Sequence, residues 1–372
     1  MIFDISDQEF RHILEDEKLY LPIRWDGRDF VQTLETQFQY YLNRVERKAN
    51  RKSPVPGSSR VHFDNIKRIC GLLTEAVKHH LNGFPSRAYD SFKDAMELCM
   101  LQPLKTYHKS VLEQFEASNR NDLNLFRVTA VDDNRPYPRE RVFHTPYTMR
   151  SKVSTTRYSI AGYPSLYLGT SLELCCQEIH YNPHHGFALA SVFELERVPE
   201  YSHTHISVID LGIKPQDFIG ETGIETNSRR RRVNSELLGD RDIRSAYLLW
   251  YPLIAACSYI RVNKEDPFAA EYIIPQLLMQ WVRSEMSERT QEDYAQLMGI
   301  RYFSCASVRA SDMGFDYVFP TSGKWKSSSL PYCAVLAKAL RVSEPVYIHE
   351  FDSITACERH LKDAADLDFI GT

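Results

Sequence analysis

Residues 157–178 read Arg-Tyr-Ser-Ile-Ala-Gly-Tyr-Pro-Ser-Leu-Tyr-Leu-Gly-Thr-Ser-Leu-Glu-Leu-Cys-Cys-Gln-Glu, and the reading of the whole chain turns on this stretch. It opens on Arg157 in a polar loop and turns at Gly162-Tyr163-Pro164. A short apolar strand follows over 165–169. Thr170 and Glu173 stand at capping-box spacing, so a helix is expected to begin directly after the strand. That helix carries Glu178 in its second turn, on the face it shares with Leu174 four residues earlier. By spacing alone Glu178 reads as part of a solvated face with Glu173 and Gln177. A glutamate among Leu172, Leu174, Cys175, Cys176 and Ile179 also fits a functional position, and the residues alone leave both readings open.

Upstream, residues 1–120 read as helical. Phe30, Leu34, Phe38, Tyr41, Leu42 and Val45 recur near the 3.6-residue period of an amphipathic helix. A break is expected at 52–59, which contains Pro54, Pro56 and Gly57. Ile66, Ile69, Leu73, Val77 and Leu81 mark a second helix, ending at Asn82-Gly83. Ser86 is a candidate cap for a third helix with Tyr89, Phe92, Met96 and Cys99 or Met100 inward. A fourth is expected over 104–117, and the polar run 118–122 is the expected domain boundary.

Downstream the pattern changes to short strand-like runs at 125–130, 165–169, 187–195, 206–211, 302–306 and 317–320. Helices are expected at 171–180, 241–256 and 268–285. The tail offers a helix near 331–340, a strand at 346–351 and a last amphipathic segment. The expected architecture is α+β: a helical domain over 1–122, then a mixed α/β domain over 123–372.

Composition narrows the function classes. Of 372 residues, 43% are hydrophobic and 25% charged, ordinary for a globular protein with a substantial core. The net charge of −4 argues against a general nucleic-acid-binding surface. The basic run 229–232, followed by Arg241 and Arg244, reads as a solvated loop or an anion-attracting patch. No signal-peptide pattern opens the chain, and no apolar run reaches membrane-spanning length. The most apolar stretch, 246–260, is interrupted by Pro252. A cytoplasmic location without membrane association is therefore expected. The eight cysteines form no CxxC pair and read as buried thiols. His180, His184 and His185 lie in a turn sequence, and no metal site is expected.

Arg127 stands in the middle of an apolar strand, Leu125-Phe-Arg-Val128. Such a charge is costly unless it is paired, faces a polar cleft or alternates outward. Arginine, tyrosine and glutamate are residue types that hold a pyrophosphate, pack against a flat ring and steady a cationic sugar. No GxGxxG fingerprint is present.

The ordered set resembles the RES domain, a family named for its arginine, glutamate and serine. The set comprises Arg127, then Arg157 with 162–171, then Glu178, 271–283 and 299–304. Residues 1–120 more loosely resemble the HEPN-related helical segment that precedes this domain in a longer variant. The resemblance implies an ADP-ribosyltransferase-like fold. It also implies a toxin that cleaves the nicotinamide–ribose bond of NAD+ by hydrolysis or phosphorolysis, with NAD+ as substrate and no resident cofactor. Carried over, Arg127 and Arg157 match the family arginines, Glu178 the glutamate and Tyr167 the strand tyrosine, with Tyr158 and Gln276 at substrate. Ser304 is the candidate serine. Some members instead have a serine just before the glutamine, where this chain has Tyr272 and Ile273.

Three alternatives stand beside that reading: an ADP-ribosyltransferase acting on protein, a HEPN-type RNase and a catalytically inactive binding protein. The RNase motif, Arg-x4–6-His, is matched by Arg139 with His144 and by Arg197 with His203. Pro138, Pro146 and Pro199 place both outside a suitable helix. A toxin of this kind implies an antitoxin, an inhibitory self-assembly through 1–120 or a trigger such as phage infection.

Overall fold

A computed structural model describes residues 5–49, 58–102, 124–182, 186–195, 204–219, 241–289, 295–321 and 331–371. The chain begins with helices α1 (Asp7–Leu14), α2 (Phe30–Ala49), α3 (Ser58–Leu81) and α4 (Pro85–Cys99). Then come β1 (Asn124–Val131), β2 (Ser165–Gly169), α5 (Leu172–Glu178), β3 (Phe187–Leu195) and β4 (Thr204–Leu211). After α6 (Arg241–Ala256) and α7 (Ile273–Arg289) follow β5 (Ala295–Phe303) and β6 (Phe315–Pro320). The chain closes with α8 (Ala334–Ala339), β7 (Leu340–Ser343), β8 (Val346–Tyr347), α9 (Ile354–Lys362) and β9 (Leu367–Phe369). Helices come first and a mixed sheet follows, the α+β class expected from the sequence. The expected helix over 104–117, the boundary run 118–122, the basic cluster 229–232, His184, His185, Arg197 and His203 lie outside the described residues.

Two compact units form, Met1–Lys105 with Ile213–Leu278 and Thr106–Gly212 with Met279–Thr372. The first therefore takes in 213–278, which the sequence reading places after its boundary at 122. The reason is α6. Residues 246–256, apart from the proline, are buried apolar side chains around the whole helix. A helix apolar all round needs enclosure on every side. Here the N-terminal helices supply it. Tyr41 and Tyr251 rings lie 4.3 Å apart, and Trp250 Nε1 donates to the Cys99 and Gln102 carbonyls at 3.1 and 2.9 Å. Pro252 does not break α6. Its missing N–H leaves the Leu248 carbonyl without a helical donor. The Tyr41 hydroxyl donates to that carbonyl at 2.7 Å.

Two helix starts differ from expectation. Pro85 opens α4 at its first turn, Phe84 stands at the cap, and Ser86 lies inside the helix. Proline is suited to this position because the N–H it lacks would have no helical acceptor there. The unexpected α1 begins with a full capping box between Ser6 and Glu9 and buries Phe10, Ile13 and Leu14.

The second unit is built on a sheet of order β4-β5-β6-β2-β1-β3-β7-β9, with β8 on β3. β4 and β5 are parallel, and the other neighbours are antiparallel. One sheet face carries Phe126, Val128, Ala188, Ala190 and Val192 beneath Leu172, Cys175 and Cys176 of α5 and Cys357 and Leu361 of α9. The opposite face holds a buried ion pair. Arg301 Nη1 reaches both Asp210 oxygens at 2.9 and 3.1 Å, and its Nε donates to the Tyr317 hydroxyl at 3.0 Å.

Candidate functional site

The loop before β2 turns at Gly162, whose φ of +68° is the left-handed conformation glycine favours. The turn closes through Tyr163 N–H to the Ile160 carbonyl at 2.9 Å. Within the loop, Ser159 Oγ binds both the N–H and the carbonyl of Thr156, at 3.0 and 2.9 Å, around Arg157. Arg157 is buried, as is Tyr158, whose ring packs 4.6 Å from that of Tyr302 on β5. The Tyr167 hydroxyl donates to the Tyr158 carbonyl and receives the Thr156 hydroxyl at 2.5 Å. Both residues flanking Arg157 are thus tied to Tyr167.

The helix after β2 is capped by Ser171, whose Oγ accepts the Leu174 N–H at 3.2 Å. The expected cap, Thr170, instead binds β6: its N–H donates to the Phe315 carbonyl and its hydroxyl accepts the Phe315 N–H, both at 2.9 Å. The Leu172 N–H donates to Glu358 of α9 at 2.9 Å, so a carboxylate already occupies this positive helix end. At the other end, Tyr181 N–H reaches Cys176 O at 2.9 Å and His180 N–H reaches Gln177 O at 3.2 Å. His180 is left-handed, with φ of 53°. This Schellman ending stops the helix immediately after Glu178.

Glu178 is exposed, and it is not isolated. The fully buried Ser304, just past β5, donates its hydroxyl to Glu178 Oε1 and accepts the Ala306 N–H at 3.1 Å. Two residues separated by 126 positions therefore meet at the end of α5. Cross-strand register puts Tyr302, Asp316 and Gly169 opposite one another, and Tyr167 two residues before Gly169 shares their face.

Arg127 comes from the other side of β1, since Phe126 and Val128 pack beneath α5. β1 and β2 are paired only at Phe126 and Gly169. Beyond that point the Tyr167 carbonyl accepts from Arg127 Nη1 at 3.1 Å. Arg127 Nε is buried and meets no acceptor among the described residues. Burial lowers the guanidinium pKa to about 10, which leaves it charged at neutral pH. Gln276, on α7, belongs to the first unit.

Sequence reasoning passed over Asp316 and Tyr302. Asp316 lies between Phe315 and Tyr317 in β6, the same signal that marked Arg127: a charge inside an apolar strand. Burial, and then the Glu178 carboxylate, push its pKa far above the usual carboxylate range. The Tyr302 hydroxyl is raised by burial first, then by Asp316 and Glu178.

His144 sits in the core. Its Nδ1 faces the Thr145 carbonyl at 2.8 Å, and its Nε2 accepts the Cys333 N–H at 2.8 Å. Nε2 as acceptor makes Nδ1 the donor and the ring neutral. Both nitrogens are therefore committed within the fold. Arg139 lies among Glu344, Asp366 and Asp368 at 3.2–3.6 Å, so this pair is not set up for acid–base cleavage of RNA. All eight cysteines are free and buried. Among the described residues no helix is long and apolar enough to cross a membrane.

No protein-family model and no solved structure matches the chain. The chain is 27% identical over 349 residues to the protein named "Putative toxin YopC" of Bacillus subtilis (strain 168). That similarity covers 91% of this chain and 70% of YopC, and it supports a toxin family.

Proposed function

We propose that this chain is a toxin that cleaves the nicotinamide–ribose bond of NAD+, with water or phosphate as acceptor, and so depletes the cell of NAD. The observation that carries this reading is the Ser304 hydroxyl donating to the exposed Glu178 carboxylate at the end of α5. Cleavage of an N-glycosidic bond develops positive charge on the ribose, as in glycoside hydrolysis. A carboxylate fixed by a hydroxyl donor and open on its other side is suited to stabilise that charge. Arg127 starts from the sheet face away from α5 but reaches the Tyr167 carbonyl, and its Nε, unfilled among the described residues, is suited to a phosphate oxygen beside β2. Arg157, held between the two anchors of Tyr167, is the second candidate for the pyrophosphate. Tyr167, half-buried, is the ring against which the ribose or nicotinamide would rest, while Tyr158 is buried against Tyr302 and supports the loop from within.

The likeness to YopC supports the toxin part of this reading and is silent on the substrate. Such an activity in a living cell requires restraint, and an antitoxin is the partner this proposal implies. The test is nicotinamide release from NAD+ by purified protein, with and without phosphate. Glu178→Gln and Arg157→Ala serve as comparisons. Glu178→Gln is expected to lower the rate about 100-fold or more, the scale of losing one group that stabilises transition-state charge. Absence of release under every condition would remove the proposal. Release that requires a protein acceptor and labels it would replace hydrolysis with transfer.

A further inference from the structure

Asp316 is 5% exposed, and its Oδ2 has no hydrogen-bond partner among the described residues. It stands opposite Tyr302 on one side and Gly169 on the other, on the sheet face that carries α5. A side chain at Gly169 would place its Cβ 3.5 Å from Asp316 Oδ1 and 2.7 Å from Cys175 Sγ. The carboxyl and the thiol thus occupy the room that glycine leaves. The titratable groups that interact with Asp316 are Cys175 and Glu178 of α5 and Tyr302 of β5, and Tyr167 of β2, on the same face, interacts with Tyr302. An ionised carboxylate without donors is poorly tolerated in such a place, whereas a carboxylic acid is tolerated.

We infer that Asp316 is a positioning residue of the Glu178 site, an uncharged carboxyl behind Glu178 that keeps the site to a single negative charge. Two neighbouring carboxylates resist ionising together. Burial decides which one keeps the proton, because Glu178 is exposed and Asp316 is not. Ser304 donates to the exposed Glu178, whereas Asp316 has no donor at its Oδ2 among the described residues. Only the catalytic consequence rests on the NAD+ reading. The protonation state does not.

The test is infrared difference spectroscopy of the full chain at neutral pH. The native protein is expected to show the carbonyl band of a protonated carboxyl, and Asp316→Asn to lack it. In Glu178→Gln, whose substituted side chain is exposed, the band should titrate at lower pH because a neighbouring negative charge is gone. A native protein without the band, or a midpoint unmoved by Glu178→Gln, would overturn the inference even if Asp316→Asn fails to fold. With NAD+ as substrate, the native pH–rate profile should show an alkaline decline that Asp316→Asn lacks. A decline that persists unchanged in that variant would also overturn it. A band that is present and responsive, in a protein that releases no nicotinamide, would support the role of Asp316 and reject the proposed substrate.

Discussion

Gly169→Ala is expected to damage the fold and the site together, through one contact. The new Cβ would lie 2.7 Å from Cys175 Sγ. Ordinary contact between such atoms is about 3.5–4.0 Å, so something has to move by about 1 Å. β2 is held at Gly169 by Asp316 on one side and Phe126 on the other. Cys175 belongs to α5, and its Sγ already donates to the Phe126 carbonyl at 3.2 Å. The helix is therefore the part that yields. Overpacking of this kind costs about 1–3 kcal/mol. In a unit of this size each kcal/mol lowers Tm by about 2–4 °C, giving a fall of about 2–12 °C. Glu178 ends the same helix, and a displacement of about 1 Å at a reacting group costs up to about 100-fold in rate. Thermal unfolding and nicotinamide release measure the two effects. Adding Cys175→Ala removes the sulfur and should recover much of the lost stability. A native-like Tm for Gly169→Ala, or no recovery in the double variant, would refute the steric argument.

Ser304→Ala removes the donor to Glu178 and the acceptor of the Ala306 N–H. A loss of about 1–3 kcal/mol in urea unfolding is expected, together with reduced nicotinamide release. His62 and His144 give an acid limit to stability. Burial lowers each from 6.5 to about 4, so the unfolded chain binds these protons at higher pH than the folded one. Their contribution is complete above pH ~6.5 and is lost as pH falls toward ~4, by about 3 kcal/mol each at most. Stability that stays flat across that interval would contradict the burial of neutral imidazoles.

Local pattern made much of the fold legible. The near-3.6 spacing in α2 and α3 and the apolar runs of β1, β2 and β3 reflect forces that act between neighbours in the chain. α1 was equally available: Ser6 and Glu9 stand at capping-box spacing ahead of Phe10, Ile13 and Leu14. The helix over 241–256 was expected through Pro252, but how it tolerates the proline was not legible, because that depends on who satisfies the carbonyl four residues earlier. That donor, Tyr41, comes from a distant helix. The choice between Thr170 and Ser171 as cap was likewise made from outside, since β6 takes up Thr170.

What the sequence determined by itself was the class of fold and the residue types at stake: an arginine in an apolar strand, an arginine loop before a turn, and a glutamate in the second turn of a short capped helix. Their periodicity and chemistry act over a few residues and are written in the order of the chain. Only tertiary structure decided that Ser304 supplies the donor to Glu178 and that Asp316 lies on the same face. It also decided that Arg127 reaches the Tyr167 carbonyl where β1 and β2 are no longer paired, and that 213–278 joins the first unit. The reason is physical. Strand register and the enclosure of an all-apolar helix are settled between segments far apart in sequence, and a one-residue slip in register would turn Asp316 to the other face.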